Sequence, residues 1–131
     1  MKMYDVIIVG AGPGGIFSAY ELVTNNPNIK VAVFEEGHIL NKRKCPIDGD
    51  KIKKCINCKS CSIMSGFGGA GAFSDGKLTT GTKDKRVRKL FAEFVSHGAP
   101  KDIMYNAKPH IGTDKLKPTI KNIREEIKSL G

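Results

Sequence analysis

Near its start the chain carries four consecutive β-branched residues, Val6–Val9, with no polar position among them. This apolar run predicts a strand over Tyr4–Val9 that is buried on both faces, as at the centre of a parallel sheet. The period then changes. Ile16, Ala19, Tyr20 and Val23 recur at helical spacing and predict a helix from Pro13 to about Val23, with proline suited to its first turn. Asn25–Asn28 reads as a loop and Lys30–Phe34 as a second strand. Further on, Val87, Leu90, Phe91, Phe94 and Val95 make an apolar stripe on a helix over Lys85–His97. Asp84 stands at its capping position and Gly98 at its stop. Ala99–Gly112 reads as irregular. Leu116, Ile120, Ile123, Ile127 and Leu130 then step by four and three along a last amphipathic helix. Pro118 must fall in its first turn, which puts the start at Lys117.

The fold class this predicts is α/β: a Rossmann-like β-α-β unit, a cysteine- and glycine-rich insertion, and further helices. Between the first strand and its helix lies Gly10-Ala11-Gly12-Pro13-Gly14-Gly15, a G-x-G-x-x-G pattern in the strand-to-helix context that a dinucleotide site requires. Gly12 lets a pyrophosphate approach the backbone and Gly15 lets the helix pack close to the strand. The first N–H groups of that helix lack internal partners and sit at the positive end of its dipole, where a phosphate binds. Glu35 closes the second strand, about twenty positions after Gly15, where an acid hydrogen-bonds a ribose diol. Its charge also repels a 2′-phosphate, which argues against NADP in this pocket. The unit alone leaves NAD and FAD both open.

All four cysteines fall in one stretch, Cys45, Cys55, Cys58 and Cys61, spaced C-x9-C-x2-C-x2-C. Thiols at these intervals are candidate ligands for an iron–sulfur cluster or zinc. Redox-active thiols near a flavin and plain loop cysteines are the other readings. Residues 66–81 form a second glycine-rich stretch that presents backbone N–H groups to an anion or a flat ring. Gly68, Gly69, Gly71, Ser74, Asp75 and Lys77 are its candidate cofactor contacts, and a flexible linker is the alternative.

Charge changes the picture less. The net charge of +9 divides as −2 over residues 1–37, +5 over 38–62 and +6 over 63–131. The basic excess follows the dinucleotide signature, and reads as solvated lysines or as an attraction for a polyanionic cofactor or partner. With no nucleic-acid reader motif and with its aromatics at helical core spacing, the chain is not expected to bind nucleic acid. It has no apolar run of membrane-spanning length and no signal peptide, so a cytoplasmic protein is expected. His38, His97 and His110 are isolated, and no paired carboxylates, Ser/His/Asp set or Walker lysine is present. No catalytic residue is assigned.

Y-D-V-I-I-V-G-A-G-P-G-G with V-F-E-E-G resembles the N-terminus of the glutathione-reductase-like, FAD-binding flavoprotein superfamily. Four further stretches narrow the likeness: K-R-K-C-P-I at 42–47, the cysteine-to-glycine run at 55–78, F-V-S-H-G-A-P at 94–100 and H-I-G-T-D-K-L at 110–116. Together they are similar to the FAD-dependent, or NAD(FAD)-utilising, dehydrogenases. The resemblance implies FAD as cofactor, with its pyrophosphate at Gly10, Gly12 and Gly15 and its adenosine ribose at Glu35. It puts the Gly68–Lys77 loop against the flavin side. It also implies a small-molecule substrate and NAD(P)H as a candidate electron donor. Members of that group are several times longer. The chain therefore reads as residues 1–131 of an FAD-binding domain whose remaining strands and substrate domain are its expected partner. A non-catalytic dinucleotide- or metal-binding segment and an NAD-binding Rossmann protein are the alternatives. Two strands cannot cover three helical stripes, so the apolar faces of Lys85–His97 and Lys117–Leu130 are expected to stay partly exposed.

Overall fold

The computed structural model of the chain describes residues 3–78 and 84–131. In order, the elements are β1 (Val6–Val9), α1 (Pro13–Asn25), β2 (Val31–Phe34), α2 (Lys85–Ser96) and α3 (Thr113–Leu130). Single 3-10 turns occur at Leu40–Lys42, Ala70–Phe73 and Lys101–Met104. The chain divides into two compact units, Met1–Ala70 with Ile127–Gly131, and Gly71–Glu126.

In the first unit β1 and β2 pair in parallel, from Val6 opposite Val31 to Val9 opposite Phe34. The ladder is extended by Asp5 N–H to Lys30 O at 2.9 Å and by Gly10 N–H to Phe34 O at 2.7 Å. α1 packs on both strands and buries the stripe read from its periodicity, Ile16, Ala19, Tyr20 and Val23. The β-α-β unit is thus present, within a two-stranded sheet among the described residues. Burial of β1 on both faces is not. Side chains alternate across a strand, so Val6 and Ile8 are half-buried while Ile7 and Val9 are 62% and 87% exposed. The second face is bare because α1 is packed on the other.

In the second unit, Asp84 caps α2 as its position predicts, accepting from Arg86 N–H at 2.8 Å. Gly98, at φ +108°, ends the helix in a left-handed turn, with Ala99 N–H reaching back to Phe94 O. The end of α2 is tied to α3 by Asn122 Nδ2, which donates to His97 O at 2.8 Å, and by the bond between His97 Nε2 and Glu126. One expectation changes here. α3 begins at Thr113, and Pro118 lies inside it. The ring removes the N–H that would reach the Asp114 carbonyl and crowds that oxygen, a local cost near the helix start. The apolar helix faces are covered in part, as expected: Phe91, Phe94, Leu116, Ile120 and Ile123 are buried, Val87, Leu90, Val95 and Ile127 are half-buried, and Leu130 is exposed. Exposed apolar side chains also lie on the sheet, at Ile7, Val9, Val33 and Phe34.

The cap gives a pH-dependent test. The side-chain hydrogen bond from Arg86, with its backbone N–H, holds the Asp84 carboxyl at about 2 against an ordinary 3.8. A depressed folded value means that the stabilisation is complete above the ordinary value and disappears as pH falls through about 2. Asp84→Ala is expected to lower the thermal midpoint near neutrality. Its melting curve and that of the parent chain should converge in strong acid.

Candidate functional site

The site forms in the first unit, where two glycine segments distant in sequence meet. β1 delivers the chain to Gly10, whose φ of +96° turns it out of the sheet. α1 then starts at Pro13 with no side-chain cap on its first N–H groups. Above the loop there is open space: a Cβ added at Gly12 or Gly14 would meet nothing within 4 Å. Gly15 is different. A Cβ there would lie 1.9 Å from Gly10 O, so only glycine lets the helix begin this close to the turn.

Gly68 N–H donates to Ala11 O at 2.8 Å. A Cβ on Gly69 would press on Gly12 Cα and Pro13 Cδ at 3.2 Å. The second glycine stretch therefore lies directly on the first loop. Of the residues expected to hold a cofactor, the structure brings together Gly10, Ala11, Gly12, Pro13, Gly14, Gly15, Glu35, Gly68 and Gly69.

Glu35 is the knot of this arrangement. Its Oε2 accepts Ala11 N–H at 2.7 Å, and its Oε1 accepts Gly37 N–H and Gly66 N–H, both at 2.9 Å. One carboxylate joins the dinucleotide loop, the exit of β2 and the second glycine segment. Burial acts to raise its pKa. The three N–H bonds and the Arg43 guanidinium together outweigh burial and hold the carboxyl below its ordinary value. A carboxylate has about four acceptor positions, and three are taken. One acceptor position on Oε2 is left, while the other three serve the protein backbone.

Arg43 has a role that its place in a lysine-rich run conceals. It is 4% exposed, and its Nε donates to Ser62 O at 2.9 Å. One terminal nitrogen donates to Phe67 O at 2.9 Å, Gly69 O at 2.8 Å and, at 3.4 Å, Gly66 O; the other donates to Ile63 O at 2.7 Å. The guanidinium thus gathers the carbonyls of 62–69 on one side of that segment. Desolvation lowers its pKa, and the Glu35 and Cys61 charges oppose this. Gly37 and Gly66 make the packing feasible, because a Cβ on Gly37 would lie 2.4 Å from Gly66 N. The available signals were a lone arginine in K-R-K and the glycine that closes V-F-E-E-G.

Gly71, Ser74, Asp75 and Lys77 belong to the second unit and form an exposed cluster of their own. Ser74 Oγ donates to Gly71 O at 2.8 Å and accepts from Gly76 N–H at 3.2 Å. Lys77 pairs with Asp75 at 2.8 Å, which lowers the Asp75 carboxyl and raises the lysine. His110 bonds the Asp75 carbonyl across an antiparallel bridge between Lys77 and His110. These residues satisfy one another within a local turn. Residues 79–81, the end of the glycine-rich stretch, lie outside the described residues.

The four cysteines are free thiols, and all of them line one cavity of about 260 Å3 in the first unit. As the side chains stand, no three His, Cys, Asp or Glu among the described residues form a metal-holding group. The expected ligand set is thus assembled around one space but not drawn to ligation. Cys55 and Cys58 sit on exposed turns, while Cys45 and Cys61 are half-buried. The N–H groups of Met64 and Ile63, assisted by Arg43, outweigh burial and lower the Cys61 thiol.

The Thi4 family model matches residues 1–40, which hold the β-α-β unit and Glu35. Thiamine thiazole synthase 4, chloroplastic, from Physcomitrium patens is 56% identical over 32 residues, 24% of this chain and 9% of the relative. A Clostridium beijerinckii (strain ATCC 51743 / NCIMB 8052) protein titled "Uncharacterized protein" is 46% identical over 125 residues. That match covers 95% of this chain and 23% of the relative, so the chain spans about a quarter of that protein's length. The N-terminal match supports, coarsely, an FAD-binding segment of flavoprotein-like Rossmann type. No helix among the described residues is long and apolar enough to cross a membrane.

Proposed function

We propose that this chain is the FAD-binding N-terminal segment of a flavin-dependent oxidoreductase of dehydrogenase type, acting on a small molecule in the reducing cytoplasm. The observation that carries the reading is the double glycine cradle. Gly12 and Gly14 face open space at an uncapped helix start, and Glu35 beside them keeps one acceptor position. A pyrophosphate suits the first feature and a ribose hydroxyl the second. When bound, FAD would supply the two-electron chemistry, with NAD(P)H a candidate donor. This chain's part is to hold the dinucleotide. The N–H groups of the loop and the first turn of α1 bind the pyrophosphate, Glu35 orients the ribose, and Gly68 and Gly69 back the loop from the far side. Glu35 also disfavours a 2′-phosphate.

Gly12→Val separates binding from folding. Its side chain would enter the space assigned to the pyrophosphate while its Cβ touches no protein atom within 4 Å. The unfolding midpoint is expected to stay near that of the parent chain. FAD affinity, followed by flavin fluorescence, is expected to fall at least about tenfold, the effect of about 1.4 kcal/mol. NAD binding without FAD binding would favour the NAD-binding alternative. If neither dinucleotide binds this chain or a longer form containing it, the reading is wrong.

A further inference from the structure

The cysteine stretch carries an inference that does not depend on the dinucleotide site. Cys55, Cys58 and Cys61 follow C-x2-C-x2-C, the leading three-cysteine spacing of bacterial ferredoxins. In two-cluster ferredoxins the fourth cysteine of each run precedes a proline and ligates the other cluster, so each cluster takes three cysteines from one run and a remote Cys-Pro. Cys45 is remote in sequence and is followed by Pro46, and the fold sets both against the other three residues. All four thiols, with Pro46, line the same cavity. Its volume of about 260 Å3 gives room for more than a lone ion.

One of the sulfurs already has a backbone amide directed at it. Cys55 Sγ accepts Asn57 N–H at 3.4 Å. Asn57 itself stands at φ +50°, the one left-handed non-glycine among the described residues. N–H bonds to cysteine sulfur stabilise thiolate ligands and tune iron–sulfur clusters. The charge agrees. A cluster on four thiolates is anionic, and Lys42, Lys44, Lys53, Lys54 and Lys59 all lie exposed in this stretch, where the net charge is +5.

We propose that Cys45, Cys55, Cys58 and Cys61 hold one [4Fe–4S] cluster in this cavity. The ligands stand on turns, with no helix or strand between Leu40–Lys42 and Ala70–Phe73. Bringing the sulfurs to ligation therefore needs side-chain rotation and loop adjustment, and no regular element has to move. Cys55, whose thiol now donates to Asn57 Oδ1 at 3.6 Å, exchanges that bond for iron.

The test is anaerobic reconstitution of the full chain with ferrous iron and sulfide, assayed for iron, acid-labile sulfide and the electron paramagnetic resonance signal of the reduced cluster. The expected result is about four iron and four sulfide per chain, with all four cysteines protected from alkylation. Cys45→Ser and Cys58→Ser should each lose at least half of the sulfide, and far-UV circular dichroism should show both variants folded. Stoichiometric zinc without sulfide would overturn the cluster in favour of a zinc site. A metal-free chain with four titratable thiols would overturn both. If a variant fails to fold, the protection pattern of the loaded parent decides: any of the four cysteines remaining reactive overturns the four-ligand assignment. Loss of FAD binding leaves every one of these readouts unchanged.

Discussion

Arg43→Met is expected to destabilise the first unit by about 3–5 kcal/mol, the cost of removing one partner from a buried ionic network. The guanidinium is 4% exposed and donates to the carbonyls of Ser62, Ile63, Gly66, Phe67 and Gly69. A methionine fills much of the volume but leaves those acceptors without their donor. It also leaves the Glu35 carboxylate without the cation that helps keep it ionised. Arg43→Lys keeps the charge, yet an ammonium offers three donors from one point and cannot span acceptors spread over eight residues. That variant is expected to lose about 2–3 kcal/mol. Denaturant unfolding measures the loss, and amide exchange at residues 66–69 should accelerate in both variants before exchange elsewhere in the unit. Unfolding within about 0.5 kcal/mol of the parent chain, the usual range for a surface substitution, would show that Arg43 is not the clamp on this segment. Because the clamped segment backs the dinucleotide loop, FAD affinity should fall with it.

The second large effect is at Gly15. Alanine there puts a Cβ 1.9 Å from Gly10 O and 3.1 Å from Gly10 C, both backbone atoms that no rotamer change can move aside. Either α1 shifts away from β1 or the loop opens. Both outcomes disturb the Gly10 N–H bond to Phe34 O that continues the sheet. A loss of about 2–4 kcal/mol is expected, with FAD binding abolished. Gly14→Ala supplies the contrast one position away. Its Cβ meets nothing within 4 Å, and its place within α1 suits alanine. It is expected to stabilise the chain by about 0.4–1 kcal/mol through the unfolded state. Equal thermal midpoints for the two variants would refute the packing role of Gly15.

The structural role of Glu35 also sharpens how it should be probed. Removing its carboxylate abolishes three backbone hydrogen bonds as well as the proposed ribose contact, so reduced FAD affinity in such a variant would not by itself locate the ribose. Gly12 is the cleaner probe, because a Cβ there would meet no protein atom within 4 Å.

What the sequence determined by itself was local. The order β-α-β, the buried stripe of α1, the Asp84 cap, the Gly98 stop and the glycine turn from β1 into α1 were all legible, because each rests on residues close to one another in the chain. Tertiary structure decided the rest. Glu35 was readable as the acid that closes β2, but its bonds to Gly37 and Gly66 required residue 66 to be folded back onto residue 37. Arg43 looked like one cation among several until the carbonyls of 62–69 closed around it. The start of α3 could not be read past Pro118, since the turn before it carries one apolar residue, Leu116, whose burial is set by the fold. The four cysteines could be grouped by spacing, whereas their sharing of one cavity depends on the turns between Pro46 and Ser62. Burial of β1 was misjudged for the same reason: an apolar strand shows that both faces can be covered, and only the layers packed on it decide which face is.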